Sequence, residues 1–176
     1  MDSLQIVTGK ELDPHKVEEY WQVLYMHDLL KHRLCDKVDP TWQEVYVMLC
    51  TRHVYYMVLE DNIVGEFMLD YLAGKMFAAH FSFHPTALRL KEKIRLGRHV
   101  CMLVLNTWKD EYDSRYASTL IGLVPVQNKP AIKFAEKVGF TNIGVLPSAQ
   151  HYLGKLTDAQ FLVMSTGEYH GRQQST

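Results

Sequence analysis

The chain has 176 residues, 47% of them apolar and 22% charged, with nineteen Lys and Arg against twenty Asp and Glu. That length buries a core of single-domain size, and the balanced charge argues against nucleic acid or a membrane surface as partner. No apolar run approaches the roughly 20 residues that span a bilayer, and the opening Met1-Asp2-Ser3-Leu4-Gln5 lacks the basic flank and apolar stretch of a secretory signal.

Cys35, Cys50 and Cys101 are odd in number, widely spaced and without a CxxC pair. They read as buried thiols of a reducing compartment, so a cytoplasmic location is expected. One domain is expected over residues 1–169, with a polar, disordered tail at 170–176.

Leu4 to Val7 alternates apolar and polar and predicts a short strand. Asp13-Pro14 then supplies a helix cap followed by proline at the first helical position. Beyond it Tyr20, Val23, Leu24, Leu30 and Leu34 keep one side apolar at helical spacing. Asp39-Pro40 repeats the start signal before a second stripe of Trp42, Val45, Tyr46 and Leu49. Trp21, Trp42 and Trp108 all fall on helix stripes and are expected in the core.

Val54 to Leu59 is β-branched and aromatic, and Glu60-Asp61-Asn62 turns it into Ile63 to Leu69. Ala73-Gly74-Lys75 makes the next turn, into Phe77 to Phe83, which completes an antiparallel meander. A basic stretch follows, and then Ile94, Gly97, Cys101, Val104 and Trp108 share one helix face. Thr119 to Val124 is a strand stopped by Pro125. A short helix carries Ala131, Phe134, Ala135 and Val138 and ends at Gly139, where a positive φ is needed. Strands near Ile143–Leu146 and Gln160–Ser165 close the chain as a hairpin.

The helix between the third meander strand and Thr119–Val124 is a β-α-β crossover, so those two strands should lie side by side and parallel. The expected class is α/β, with a mixed central sheet of about seven strands and helices on both faces.

Asn128-Lys129-Pro130-Ala131 through Val138-Gly139-Phe140 resembles the N-x-x-A helix ending in G-F of the GNAT N-acetyltransferase superfamily, and the order of elements agrees along nearly the whole chain. Gly144, Gly154 and Asp158 resemble the tail of its ribosomal-protein-alanine acetyltransferases. Gly65-Glu66-Phe67 and His80-Phe81-Ser82-Phe83-His84-Pro85 are similar to phage-encoded GNAT-like proteins, some of them linked to virion assembly.

The resemblance implies a cleft where Phe77–Phe83 and Thr119–Val124 splay apart. Acetyl-CoA would enter it, its pantetheine arm bonded to the edge of the Phe83 strand and its pyrophosphate facing the crossover helix. Asn128 would bond the arm or simply cap its helix. The cofactor-side candidates are Phe83, Arg89, Arg95, Gly97, Arg98, Asn128 and Phe134.

The pattern also fails in places. The family's phosphate loop, R/Q-x-x-G-x-G/A, uses its glycines to bring backbone N–H groups onto phosphate. Here Arg89-Leu90-Lys91-Glu92-Lys93-Ile94 has Glu92 and Ile94 in the glycine positions, and Gly97-Arg98-His99 supplies one glycine only. Arg89, Lys91, Lys93, Arg95 and Arg98 offer charge instead. Many relatives carry a Tyr seven residues after the Asn to protonate the leaving thiolate; this chain has Ala135.

For a base, the meander offers His80 first, on one face with Ala78, Ser82 and His84, and Glu66 on the neighbouring strand second. A satisfied structural histidine is the alternative. His80 and His84 stand roughly 13 Å apart along a strand, too far to share a metal. Two functions follow. One is acetyl transfer from acetyl-CoA to a primary amine of a small molecule or protein, by a monomer or homodimer. The other is a GNAT-fold binding or assembly module that has lost catalysis.

Overall fold

A computed structural model describes residues 4–33, 41–107 and 117–165 of the chain. Seven strands form one sheet in the order β1-β2-β3-β4-β5-β7-β6. The strands are β1 Gln5–Thr8, β2 His53–Leu59, β3 Asn62–Ala73, β4 Met76–Phe83, β5 Thr119–Pro125, β6 Thr141–Tyr152 and β7 Lys155–Ser165. Helices α1 Pro14–Met26, α2 Leu30–Arg33 and α3 Trp42–Thr51 precede the meander, α4 Leu90–Thr107 joins β4 to β5, and α5 Lys129–Val138 follows β5. Every strand pair is antiparallel except β4 with β5. Among the described residues, no helix is long and apolar enough to cross a membrane.

Strand alternation divides the sheet into two apolar faces. One packs Met57, Phe67, Leu69, Phe77 and Leu120 with Leu96, Val100 and Val104 of α4 and Val138 of α5. The other packs Val54, Tyr56 and Met68 with Tyr20, Trp21 and Leu24 of α1, Leu30 of α2, and Val45 and Met48 of α3. The Trp21 indole N–H donates to the Tyr56 hydroxyl at 3.0 Å, so the one polar atom of that buried ring is satisfied.

Asp13 caps α1 as expected, its carboxylate accepting from the His15 N–H. The single long apolar stripe, however, is two helices. Asp28 takes a positive φ of 59°, its N–H bonds Tyr25 O, and the Leu29 N–H bonds Leu24 O. Together these close a Schellman motif that turns the chain out of α1. The cap of α3 is Thr41, in a reciprocal box with Glu44; Asp39 and Pro40, read as its start signal, lie outside the described residues. Trp21 is buried, whereas Trp42 is 39% exposed and so departs from the expected core; Trp108 and the tail lie outside the described residues. Cys101 is a buried thiol, and burial pushes its pKa far up, so it stays protonated.

The closing hairpin is longer than its sequence suggested, because Leu153-Gly154 turns two strands of 12 and 11 residues into each other. Its tip meets α2 across the sheet, where His32 Nδ1 lies 2.8 Å from the Tyr152 hydroxyl.

Candidate active site

The parallel pairing of β4 with β5 covers Met76↔Thr119, Phe77↔Leu120 and Ala78↔Ile121. Beyond Ala78 each strand keeps only its outer neighbour. β4 stays paired to β3 as far as Phe83↔Gly65, and β5 to β7 as far as Pro125↔Ala159. The two therefore open into a cleft whose β4 wall, Ala79 to Phe83, has backbone groups outside any β4–β5 ladder. Both crossover geometries put a helix start at the open end. α4 begins after β4, α5 begins after β5, and the positive ends of both helix dipoles flank the gap.

His80 lies two residues past the last paired residue, on the face of α1–α3. Its Nε2 is 3.1 Å from Asp70 Oδ2 on β3, and the same oxygen accepts from Arg52 at 3.1 Å. An ionised carboxylate only accepts, so Nε2 carries the hydrogen and Nδ1 the lone pair of the neutral ring. Asp70 and Arg52 were not anticipated. Counting outward from the Gly74-Lys75 turn pairs Asp70 with Ala79, on the opposite face from His80. An irregularity between Tyr71 and Ala73 shifts the register by one residue and brings Asp70 opposite Ala78 instead.

Glu66 shares that face but is 0% exposed, accepting from the Ser82 hydroxyl at 3.1 Å where α1 packs over β3.

On the other face, Phe81 and Phe83 stand parallel, and the edge of Phe134 from α5 meets both at 5.5 and 5.4 Å. These rings pack against the core on the α4–α5 side of β4. Lys93, one turn into α4, holds its ammonium 5.9 Å from the Phe83 ring centroid, and burial lowers its pKa. His84, at the end of β4, is also lowered, first by burial and then by the nearby charges of His27 and Lys93.

The remaining cofactor-side candidates separate. Arg89 and Arg95 are exposed at the start of α4. Asn128 caps α5, its Oδ1 accepting from the Ala131 N–H at 3.3 Å, which is the capping role set beside ligand binding above. Gly97 and Arg98 both meet α5. A Cβ on Gly97 would stand 2.8 Å from Phe134 Cζ and 2.9 Å from Val138 Cγ2, so glycine there permits close helix contact. Arg98 donates from Nε to Val138 O at 3.0 Å and from Nη2 to Lys137 O at 2.7 Å, completing the carbonyl end of α5. Arg98→Ala should accordingly lower stability by about 1–2 kcal/mol and leave ligand affinity unchanged, as thermal melts and titration would show. A loss of affinity at unchanged stability would return Arg98 to the binding site.

No protein-family model and no curated protein matches the chain. Solved structures do. A spermidine N-acetyltransferase from Vibrio cholerae, in complex with CoA and spermine, superposes with a TM-score of 0.73 at 11% identity, over 95% of this chain and 98% of that one. AAC(6')-Ib in complex with ribostamycin and coenzyme A gives 0.72 at 14% identity, over 99% and 100%. RimL, a ribosomal L7/L12 α-N-protein acetyltransferase in complex with coenzyme A, gives 0.69 at 12% identity, over 93% and 94%. What the chain shares with them is the fold, the mixed seven-stranded α/β architecture of the GNAT acetyltransferases.

Proposed function

We propose that this chain transfers an acetyl group from acetyl-CoA to a primary amine, with His80 accepting the amine's proton. The observation that carries this reading is the end of β4–β5 pairing at Ala78↔Ile121 with a histidine two residues beyond it. The backbone of Ala79 to Phe83 offers the alternating donors and acceptors that the amides of a pantetheine arm need, as a sheet edge offers them to a peptide. Phe81, Phe83 and Phe134 supply its apolar wall, and the start of α4 with Arg89, Lys93 and Arg95 supplies positive charge for phosphates.

An amine attacks a thioester carbon only as the free base. In its neutral form, with Nε2–H held on Asp70, His80 would take the proton at Nδ1 as the new C–N bond forms. The hydrogen bond to Asp70 fixes the tautomer and steadies the imidazolium that results. Ala135 supplies no acid for the departing thiolate, so that proton must come from elsewhere in the site.

Acetyl-CoA binding tests the reading before any acceptor is known. A ligand that binds the folded state alone adds about 2.7 kcal/mol of stability at a hundred times its Kd, which raises the melting temperature by several degrees. A melting temperature unmoved at millimolar acetyl-CoA would remove the transferase reading and leave a binding or assembly module on the same fold.

A further inference from the structure

We infer, on the basis of the transferase reading above, that the acceptor is a small primary amine carried on an apolar body, selected by Leu123 and Phe161 on the sheet face that His80 shares. Register places these residues. Ala78 is paired with Ile121, and two residues beyond that last pair stand His80 on β4 and Leu123 on β5, each roughly 7 Å further along its strand. Side chains alternate, so His80 and Leu123 lie on the same side of the sheet, at the same height on opposite margins of the opening. Ile121 is paired in turn with Val163, and Leu123 with Phe161.

The floor that runs from His80 across β5 and β7 is therefore Ile121, Leu123, Phe161 and Val163, apolar at every position. Among the described residues these four join neither of the two packed layers, and Leu123, Phe161 and Val163 are only half-buried. A bound molecule that covered them would gain from the apolar surface it removes from water. Charge points the same way. On this face of β4, β5 and β7 no described residue is acidic. Asp70 of β3 is already shared by His80 and Arg52, each at 3.1 Å. A second ammonium on the acceptor would meet the Arg52 guanidinium, a like charge that selects against it. Size is bounded as well. α2 packs on β4, and its His32 reaches Tyr152 at the tip of the β6–β7 hairpin. That contact spans from the β4 side of the cleft to the β7 side, which admits a slender molecule and holds off a folded protein surface.

Comparing kcat/KM with acetyl-CoA for ethylamine, 2-phenylethylamine, spermidine and glucosamine tests this. Wild type should favour 2-phenylethylamine over each of the other three on the order of tenfold, as apolar pockets discriminate. Phe161→Ala should lower the ratio of 2-phenylethylamine to ethylamine about tenfold, through KM more than kcat. Leu123→Asp should raise the ratio of spermidine to 2-phenylethylamine above that of wild type. Both readouts are ratios within one preparation, so a variant that folds poorly still reports. A wild type that prefers glucosamine or spermidine would overturn the inference while the transferase reading stands. Spermidine would then point to the hollow lined by Glu19, Glu60 and Asp61 between α1 and the β2–β3 turn. An unchanged ratio in Phe161→Ala, or acetyl-CoA bound with none of the four amines acetylated, would overturn it equally. If acetyl-CoA does not bind at all, the transferase reading falls and this inference falls with it.

Discussion

His80→Ala should lower the rate of acetyl transfer roughly 10²–10⁴-fold while leaving acetyl-CoA affinity nearly unchanged. The split follows from where the residue stands. Its side chain lies on the α1–α3 face just past the point where β4 and β5 part, whereas in the proposed reading a pantetheine arm would be held by β4 backbone that the substitution keeps. Burial adds a control. Glu66→Gln replaces a fully buried carboxylate that accepts from Ser82, so its cost should appear in stability, with any transfer rate of the folded protein kept. Steady-state kinetics paired with acetyl-CoA titration of both variants separates the cases. A rate loss in Glu66→Gln with none in His80→Ala would move the base to Glu66. Wild-type rates in both would mean that neither takes the proton.

Gly97→Leu should destabilise the fold by about 1–3 kcal/mol, the usual cost of overpacking a filled contact. A glycine in the middle of an 18-residue helix gives up about 1 kcal/mol of helix propensity relative to alanine, so something else holds it there. The space is already taken by Phe134 Cζ and Val138 Cγ2, and Phe134 cannot retreat freely because Phe81 and Phe83 lie behind it. Gly97→Ala sets a propensity gain against the same clash and should come out nearly neutral. Denaturant midpoints for both variants check the pair of expectations. A leucine variant as stable as wild type would show that α4 and α5 can part without cost. If Phe134 walls the cleft as proposed, the leucine variant should bind acetyl-CoA less well even where it folds.

Local chemistry made most of the fold legible in advance. Asp13-Pro14, Gly139 and the period-two runs of β2 to β4 each carry their signal in a few adjacent residues, and the helical crossover between β4 and β5 implies that they run parallel. What escaped depended on register or on competing roles. The Schellman turn at Asp28 lies inside an unbroken apolar stripe, so periodicity ran through it. Asp70 was hidden from His80 by a one-residue irregularity near Tyr71 that no composition signal marks. Gly97 and Arg98 carry the residue types of a phosphate site, yet α5 claims both, and only the approach of the two helices reveals it. Glu92 was seen as a missing glycine, and the bond its carboxylate accepts from the Arg89 N–H became visible only with the helix start in place.

β4 wears two chemistries on one backbone. Phe77, Ala79, Phe81 and Phe83 pack toward α4 and α5, while His80 and Ser82 meet carboxylates on the opposite face. Over generations such a strand can exchange one side chain for another at the cost of a single contact. A residue gained or lost mid-strand, without a bulge to absorb it, is another matter. A one-residue frame change would carry His80 and Ser82 into the apolar wall and turn the phenylalanines toward Glu66 and Asp70, burying polar groups without partners along the whole strand at once. The length of this segment therefore constrains more contacts at once than the identity of any one of its side chains does.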